Sequence, residues 1–482
     1  MGLLNNLEPQ NVFSYFETIC AIPHGSGNTS AIVDYCVRFA EERGLSWYRD
    51  TANNLVIRKP ASPGYENSET IILQGHTDMV CEKNPDVDFD FTKDGIKLIV
   101  DGDTLRADGT TLGGDNGIAV AMCLAILDDK TLSHPPLEVL LTADEEIGML
   151  GAFDFDCSQL TGHKLINLDS EYEGVLMCSC AGGANAYSRI PVQRENAELE
   201  LVELEISGLT SGHSGVEIDK GRANSNVLMA RLLHGLAEKV DYRLVKLDGG
   251  SRETAIASKS VAVIGVTDGG TETVLAEVEK LGMVFKKEYA TTEPAMVVAA
   301  KAGTRETVNA LTAADTALAQ QVLLALPDSV QAMSMDMPGL VQTSLNFGIL
   351  RLEETELFFA NTVRSSMTTQ KRWVLAQVEA IVSLAGGKTE VSGDYPGWSY
   401  NPHSVVKDTI LRVYRELFGK EATVEAVHAG IECGLFADSI QDLDCVSIGP
   451  DMGDVHTPRE HLSISSSART YQLLCKVLQE SK

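Results

Sequence analysis

The chain has 482 residues, 44% of them hydrophobic and 22% charged, and carries a formal net charge of −29. That length exceeds one compact core, so two domains are expected. A field this negative repels phosphate backbones and anionic membranes, which excludes nucleic acid and membrane as main partners, and any anionic substrate must be met by a locally placed cation.

The opening stretch "MGLLNNLEPQNVFSYFETICAIP" has no basic leader before an apolar core, so no secretory signal is expected. The longest apolar run, "IAVAMCLAIL" at 118–127, falls short of the roughly 20 residues that a membrane span needs. Ten scattered cysteines without a CxxC pair fit reduced thiols in a cytoplasmic enzyme.

Along residues 8–45, apolar positions recur at three- and four-residue spacing and predict helices. "NLVIRKP", "TIILQGH", "LEVLLTA" and "KLINLD" then read as short strands buried on both faces, with "DNGIAVAMCLAILDD" a helix between the second and third. This alternation argues for an α/β domain, a mixed, mainly parallel sheet covered by helices. The texture changes near residue 186. From there "LELVELEISGL", "SVAVIGV", "TSLNFGILRL" and "LFFANTVRS" read as strands interleaved with helices, an α+β layer. Helices and buried strands of the first kind resume after "YPGWSYNPHS". The expected division is a catalytic domain from 1–185 and 398–482, with an inserted lid and dimerisation domain at 186–397.

Five motifs carry possible chemistry. His76 and Asp78, two apart after an apolar strand, point the same way, at the strand end where α/β sheets bind ligands. Asp115 follows a Gly pair and opens a helix, as an N-cap or as a carboxylate reaching outward. Glu145 and Glu146 crowd together after "LEVLLTA", Asp169 ends "KLINLD", and His456 follows "IGPDMGD". Each alone fits a solvated loop. Together, two His and three acidic ligands sharing one carboxylate suffice for two cations about 3.5–4 Å apart, with zinc favoured and cobalt or manganese possible.

In order, "GHTDMV", "GGDNGIA", "TADEEIGMLGA", "LDSE" and "HTPRE" resemble the two-metal exopeptidases that include aminoacylase and carboxypeptidase G. The insert, with "TSGHSGVEIDKGRANSN" and "NTVRSS", and the "HAGIECG" stretch are similar to the aminoacyl-histidine dipeptidase branch of that family. The resemblance implies two zinc ions bridged by Asp115, with His76 and Asp169 completing one site and Glu146 and His456 the other. It implies Asp78 as the orienting carboxylate and Glu145 as the general base. It also implies His213 as an oxyanion donor reaching into the partner subunit of a homodimer. Arg364, at the end of an alternating strand, is either a salt-bridged surface residue or, in a protein this acidic, the clamp for a substrate carboxylate. Asn346 and Gly430 would contact the substrate backbone. His428 and Glu432, four apart, could form a helix pair or face a free amine. Arg459 departs from the family pattern and leaves the local pocket charge open. The expected activity is hydrolysis of unblocked dipeptides, Xaa-His included. N-acyl amino acid deacylation is the alternative on the same scaffold, and a non-catalytic binding protein the alternative of another class.

Overall fold

The computed structural model describes residues 2–267 and 269–482, which divide into two compact units. The first takes the residues up to Ser179 together with Trp398–Ala426 and Ile431–Lys482; the second takes Cys180–Gly397 and Val427–Gly430.

The first unit is built on an eight-stranded mixed sheet. Its strands run in the order Ser46–Arg49, Leu55–Lys59, Leu137–Thr142, Ile71–His76, Lys164–Asn167, Asp444–Ser447, Val175–Cys180 and Thr423–Val427. The four apolar runs expected as strands are strands, and the two central ones, Ile71–His76 and Leu137–Thr142, are buried at every residue. Ile71–His76 pairs in parallel with strands on both sides. Its register sets His76 opposite Thr142 and Gln74 opposite Asn167, while Asn167 stands opposite Ser447 in the next parallel pair. Four strands therefore finish nearly level, so the segments that follow them leave the sheet at one edge.

The helix Gly114–Asp128 is buried continuously from Asn116 to Leu127, which is why its sequence shows no polar face. It packs against the helix Gln10–Cys20 and the strand Ile71–His76. Two glycines make its start possible. Gly113 has φ +70°, a left-handed conformation that costs glycine little. A Cβ on Gly75 would stand 2.4 Å from Asn116 Oδ1, so only glycine allows that close approach. A small antiparallel sheet of Met452–Gly453, His461–Ser463, Thr104–Ala107 and Leu98–Asp101 lays the C-terminal motif beside the chain that leads into Gly113.

The second unit is an antiparallel sheet in the order Val297–Leu311, Arg194–Ser207, Ser260–Val266, Tyr242–Gly249, Val341–Leu352, Glu356–Ser365, Gly182–Pro191 and Lys388–Tyr395, with Ser329–Met333 paired to Val341–Leu352. Val202, Leu204 and Ile206 alternate inward along one strand and join a core with Leu228, Leu232 and Leu236 of the helix Ser225–Ala237 and Val374 and Val378 of the helix Thr368–Leu384.

Candidate metal centre

The segments leaving the level strand ends converge. His76 Nε2 lies 3.1 Å from Asp115 Oδ1 and 3.5 Å from Asp169 Oδ1. His456 Nε2 lies 3.3 Å from the other oxygen of Asp115, Oδ2, and 3.0 Å from Glu146 Oε2. His76, Asp115 and Glu146 place ligand atoms within 4.8 Å of one another. One carboxylate thus turns an oxygen toward each of two imidazole–carboxylate pairs. Asp115 is not the cap of its helix: the N-cap is Gly113, no side chain caps it, and Asp115 itself has non-helical backbone angles.

Ring orientation suits metal ligation. His76 Nδ1 sits 3.0 Å from the backbone oxygen of Asp78, so donating there leaves the Nε2 lone pair facing Asp115 and Asp169. The Asp78 carboxylate, 3.4 Å from that ring, has further partners. It accepts Ser26 Oγ at 2.8 Å and the backbone N–H groups of Glu145 at 3.0 Å and Glu146 at 3.3 Å. The strand end beneath is fixed by residues that sequence reading passed over. His76 N–H donates to Asn116 Oδ1, and Asn116 Nδ2 donates to Leu168 O. Buried Glu432 accepts from Gln74 Nε2 at 2.7 Å and Thr142 Oγ1 at 2.9 Å. Gln74 in turn accepts from Asn167, whose Oδ1 receives the Asp169 N–H. A polar residue inside an apolar strand, as Gln74 is in "TIILQGH", was the available signal.

The charges call for cations. Hydrogen bonds to Asp115 and Glu146 hold the His456 pKa up at about 10. Burial opposes a charge on His76, yet Asp169, Asp115 and Asp78 outweigh it and hold that ring well above its ordinary value. Burial drives Asp169 well above the carboxylate range. Burial also pushes Glu145 up to about 7; His76 opposes the rise, and Glu146, Asp115 and Asp78 add to it. Asp115 goes the other way: burial opposes its charge, yet hydrogen bonds with His456 and His76 outweigh that cost and hold it below the usual carboxylate range. Buried acids gathered round two imidazoles that must both carry protons to balance them are short of positive charge, and divalent ions among N and O donors relieve that. The donor set fits zinc, cobalt or manganese. Arg459 is mostly exposed and meets Asp454 at 3.5 Å.

The other anticipated residues belong to the second unit. His213 Nδ1 accepts the backbone N–H groups of Gly215 and Val216 at 3.1 and 3.3 Å, which puts the ring proton on Nε2 as a donor. Burial and the charge of Arg364 lower its pKa, so the ring is neutral near pH 7. Arg364 is 7% exposed; Nη1 meets Tyr395 Oη at 3.1 Å, Nε has no partner, and no carboxylate lies within ion-pair distance among the described residues. Asn346 donates its amide to Glu253 O and Ala255 O, leaving a buried Oδ1 unpartnered. A Cβ on Gly430 would approach the Tyr395 ring at 2.8 Å. The helix pairing considered for His428 and Glu432 does not exist: His428 lies in the loop after Thr423–Val427 and meets Ser344 Oγ at 2.7 Å, while Glu432 precedes the helix Cys433–Ser439. The strand ends before His428 and the helix begins after Glu432, so the four-residue interval carries no helical meaning.

An imidazole–carboxylate cluster with one shared carboxylate, at the strand ends of an α/β sheet, is the donor arrangement that metallohydrolases use. Residues 72–480 match the profile of the peptidase family M20/M25/M40, and the chain belongs to that family. It is 38% identical over 482 residues to the cytosol non-specific dipeptidase of Escherichia coli (strain K12), covering 100% of this chain and 99% of that one. Its structure is similar to aminoacylhistidine dipeptidase from Vibrio alginolyticus, with a TM-score of 0.95, 35% identity, and 99% and 98% of the two chains covered. A tripeptidase from Staphylococcus aureus shares the fold at a TM-score of 0.56 and 16% identity, over 98% and 99% of the chains.

Proposed function

We propose that this chain is a metallo-dipeptidase that hydrolyses unblocked dipeptides, those ending in histidine included, as a cytoplasmic homodimer. The observation that carries the reading is the two-sided Asp115 carboxylate, with His76 at 3.1 Å from one oxygen and His456 at 3.3 Å from the other. Two zinc ions, replaceable by cobalt or manganese, would be held by His76, Asp115 and Asp169 and by Asp115, Glu146 and His456. When bound they supply Lewis acidity to the scissile carbonyl and the attacking water.

The chain's own residues do the rest. Glu145 accepts the proton that water loses and returns it to the departing amine, so no net proton is consumed at that carboxylate. Asp78 holds the Glu145 and Glu146 amides and so fixes where both side chains begin. The neutral His213 donates through Nε2 to the developing oxyanion, from the partner subunit of the dimer. Arg364, buried without a counter-ion, takes the substrate's terminal carboxylate. Asn346 and Gly430 contact the substrate backbone, and the second unit serves as lid and dimerisation domain.

Replacing Glu145 with Gln tests the reading. Turnover of unblocked dipeptides should fall by about 10²–10⁴-fold while bound metal, measured by atomic absorption, stays at the wild-type level. Unchanged turnover would remove Glu145 from the mechanism. Faster cleavage of N-acetyl amino acids than of unblocked dipeptides would favour deacylation instead.

A further inference from the structure

Glu460 ends the "HTPRE" motif, four residues past His456, and is 3% exposed. Its carboxylate accepts four consecutive backbone N–H groups. Oε2 takes Leu112 at 2.7 Å and Gly113 at 3.2 Å, and Oε1 takes Gly114 at 2.8 Å and Asp115 at 3.3 Å. Among the described residues no Lys or Arg pairs with it, so backbone dipoles alone meet its charge. The neighbouring His461 is held in register with Arg106, which brings Glu460 up against the loop from one side. The same short segment therefore carries an imidazole that faces Asp115 Oδ2 and a carboxylate that grips the backbone up to Asp115 N.

We infer that Glu460 is a positioning residue that sets the two-sided orientation of Asp115 and, through it, the affinity of the centre for divalent ions. The physical reason lies in the loop. With two glycines before it and no capping side chain, the Leu112–Asp115 backbone has little else to hold it. A carboxylate that collects four N–H groups fixes four peptide planes at once, and charged acceptors make the stronger hydrogen bonds. Neutralising it to an amide would turn an NH₂ against two N–H donors and free that half of the loop. The inference rests on the reading of Asp115 as the shared ligand.

The experiment is a chelator competition that measures Zn²⁺ affinity of folded Glu460→Gln, Glu460→Asp and Asp115→Asn proteins, with circular dichroism as the fold control and the visible Co²⁺ spectrum as a second readout. Glu460→Gln is expected to weaken Zn²⁺ binding by about 10–100-fold and to alter the Co²⁺ bands, with Asp115→Asn losing more. Glu460→Asp, which keeps the charge but draws it back, should fall between wild type and Gln, and it decides the matter if the Gln variant does not fold. A purely structural role would lower stability and leave affinity and spectrum at wild-type values, which overturns the inference while Asp115→Asn still binds poorly. Wild-type affinity in Asp115→Asn would instead overturn the reading beneath it.

Discussion

Asp78 accepts the backbone N–H of Glu145 at 3.0 Å, joining the segment after one central strand to the segment after its neighbour. With Ser26 and Glu146 on its second oxygen, Asp78 ties two loops together beside the His76 ring, 3.4 Å from its Nδ1. Asp78→Asn keeps one accepting oxygen and turns an NH₂ against the donors on the other side. We expect kcat to fall by about 10–100-fold, with the fold intact by circular dichroism. A variant with wild-type kcat would reduce Asp78 to a bystander.

Metal removal should be felt in stability as well as in rate. Crowded carboxylates at Asp115, Glu146 and Asp169 favour the folded state least when no cation is shared among them. Chelated protein should melt at a lower temperature, and added Zn²⁺ should restore it by about 4 kcal/mol at a thousandfold excess over Kd. Equal melting curves with and without chelator would count against the cluster as a metal centre.

Asp328 gives a pH prediction far from that cluster. Burial pushes its pKa up to about 7, against the pull of hydrogen bonds from Phe347 N, Ser329 N and Asn224. Because the folded pKa lies above the unfolded one, its contribution is fully present below about pH 4 and is lost as pH rises through 7. Asp328→Asn should therefore match wild type in acid and exceed it at pH 8, by on the order of 2–4 kcal/mol. Urea titrations at pH 4 and 8 measure this, and a gain that appears at pH 4 instead reverses the sign and refutes it.

Where His213 acts can be settled by mixing subunits. If its Nε2–H serves the partner's centre, heterodimers of His213→Ala and Glu145→Gln regain activity at one of their two sites. The expected signal is up to about half the wild-type rate per heterodimer, because one of its two centres is intact, read from dipeptide turnover after co-refolding. No recovery, with heterodimers verified by native mass spectrometry, would place His213 in its own chain's site.

Much of this is legible in the sequence. "TIILQGH" and "LEVLLTA" are apolar at nearly every position and become strands buried at every residue. The order of the motifs along the chain already grouped His76, Asp115, Glu146, Asp169 and His456 as one candidate ligand set. His428 and Glu432 were not legible: their interval suited a helix, and both instead lie in the connection between the strand Thr423–Val427 and the helix Cys433–Ser439. Glu460 was hidden because a carboxylate in "HTPRE" looks solvated until its partners, more than three hundred residues away, are known.

The sequence by itself determined the strands, the buried helix after Gly113 and the kinds of ligand available, because short-range apolar patterning and turn chemistry are local properties. Only the tertiary structure decided which oxygen of Asp115 faces which imidazole, and which buried carboxylates hold the loops in place. Those relationships depend on strand register and on backbone N–H groups, and a backbone amide looks the same in every residue until the fold brings an acceptor to it.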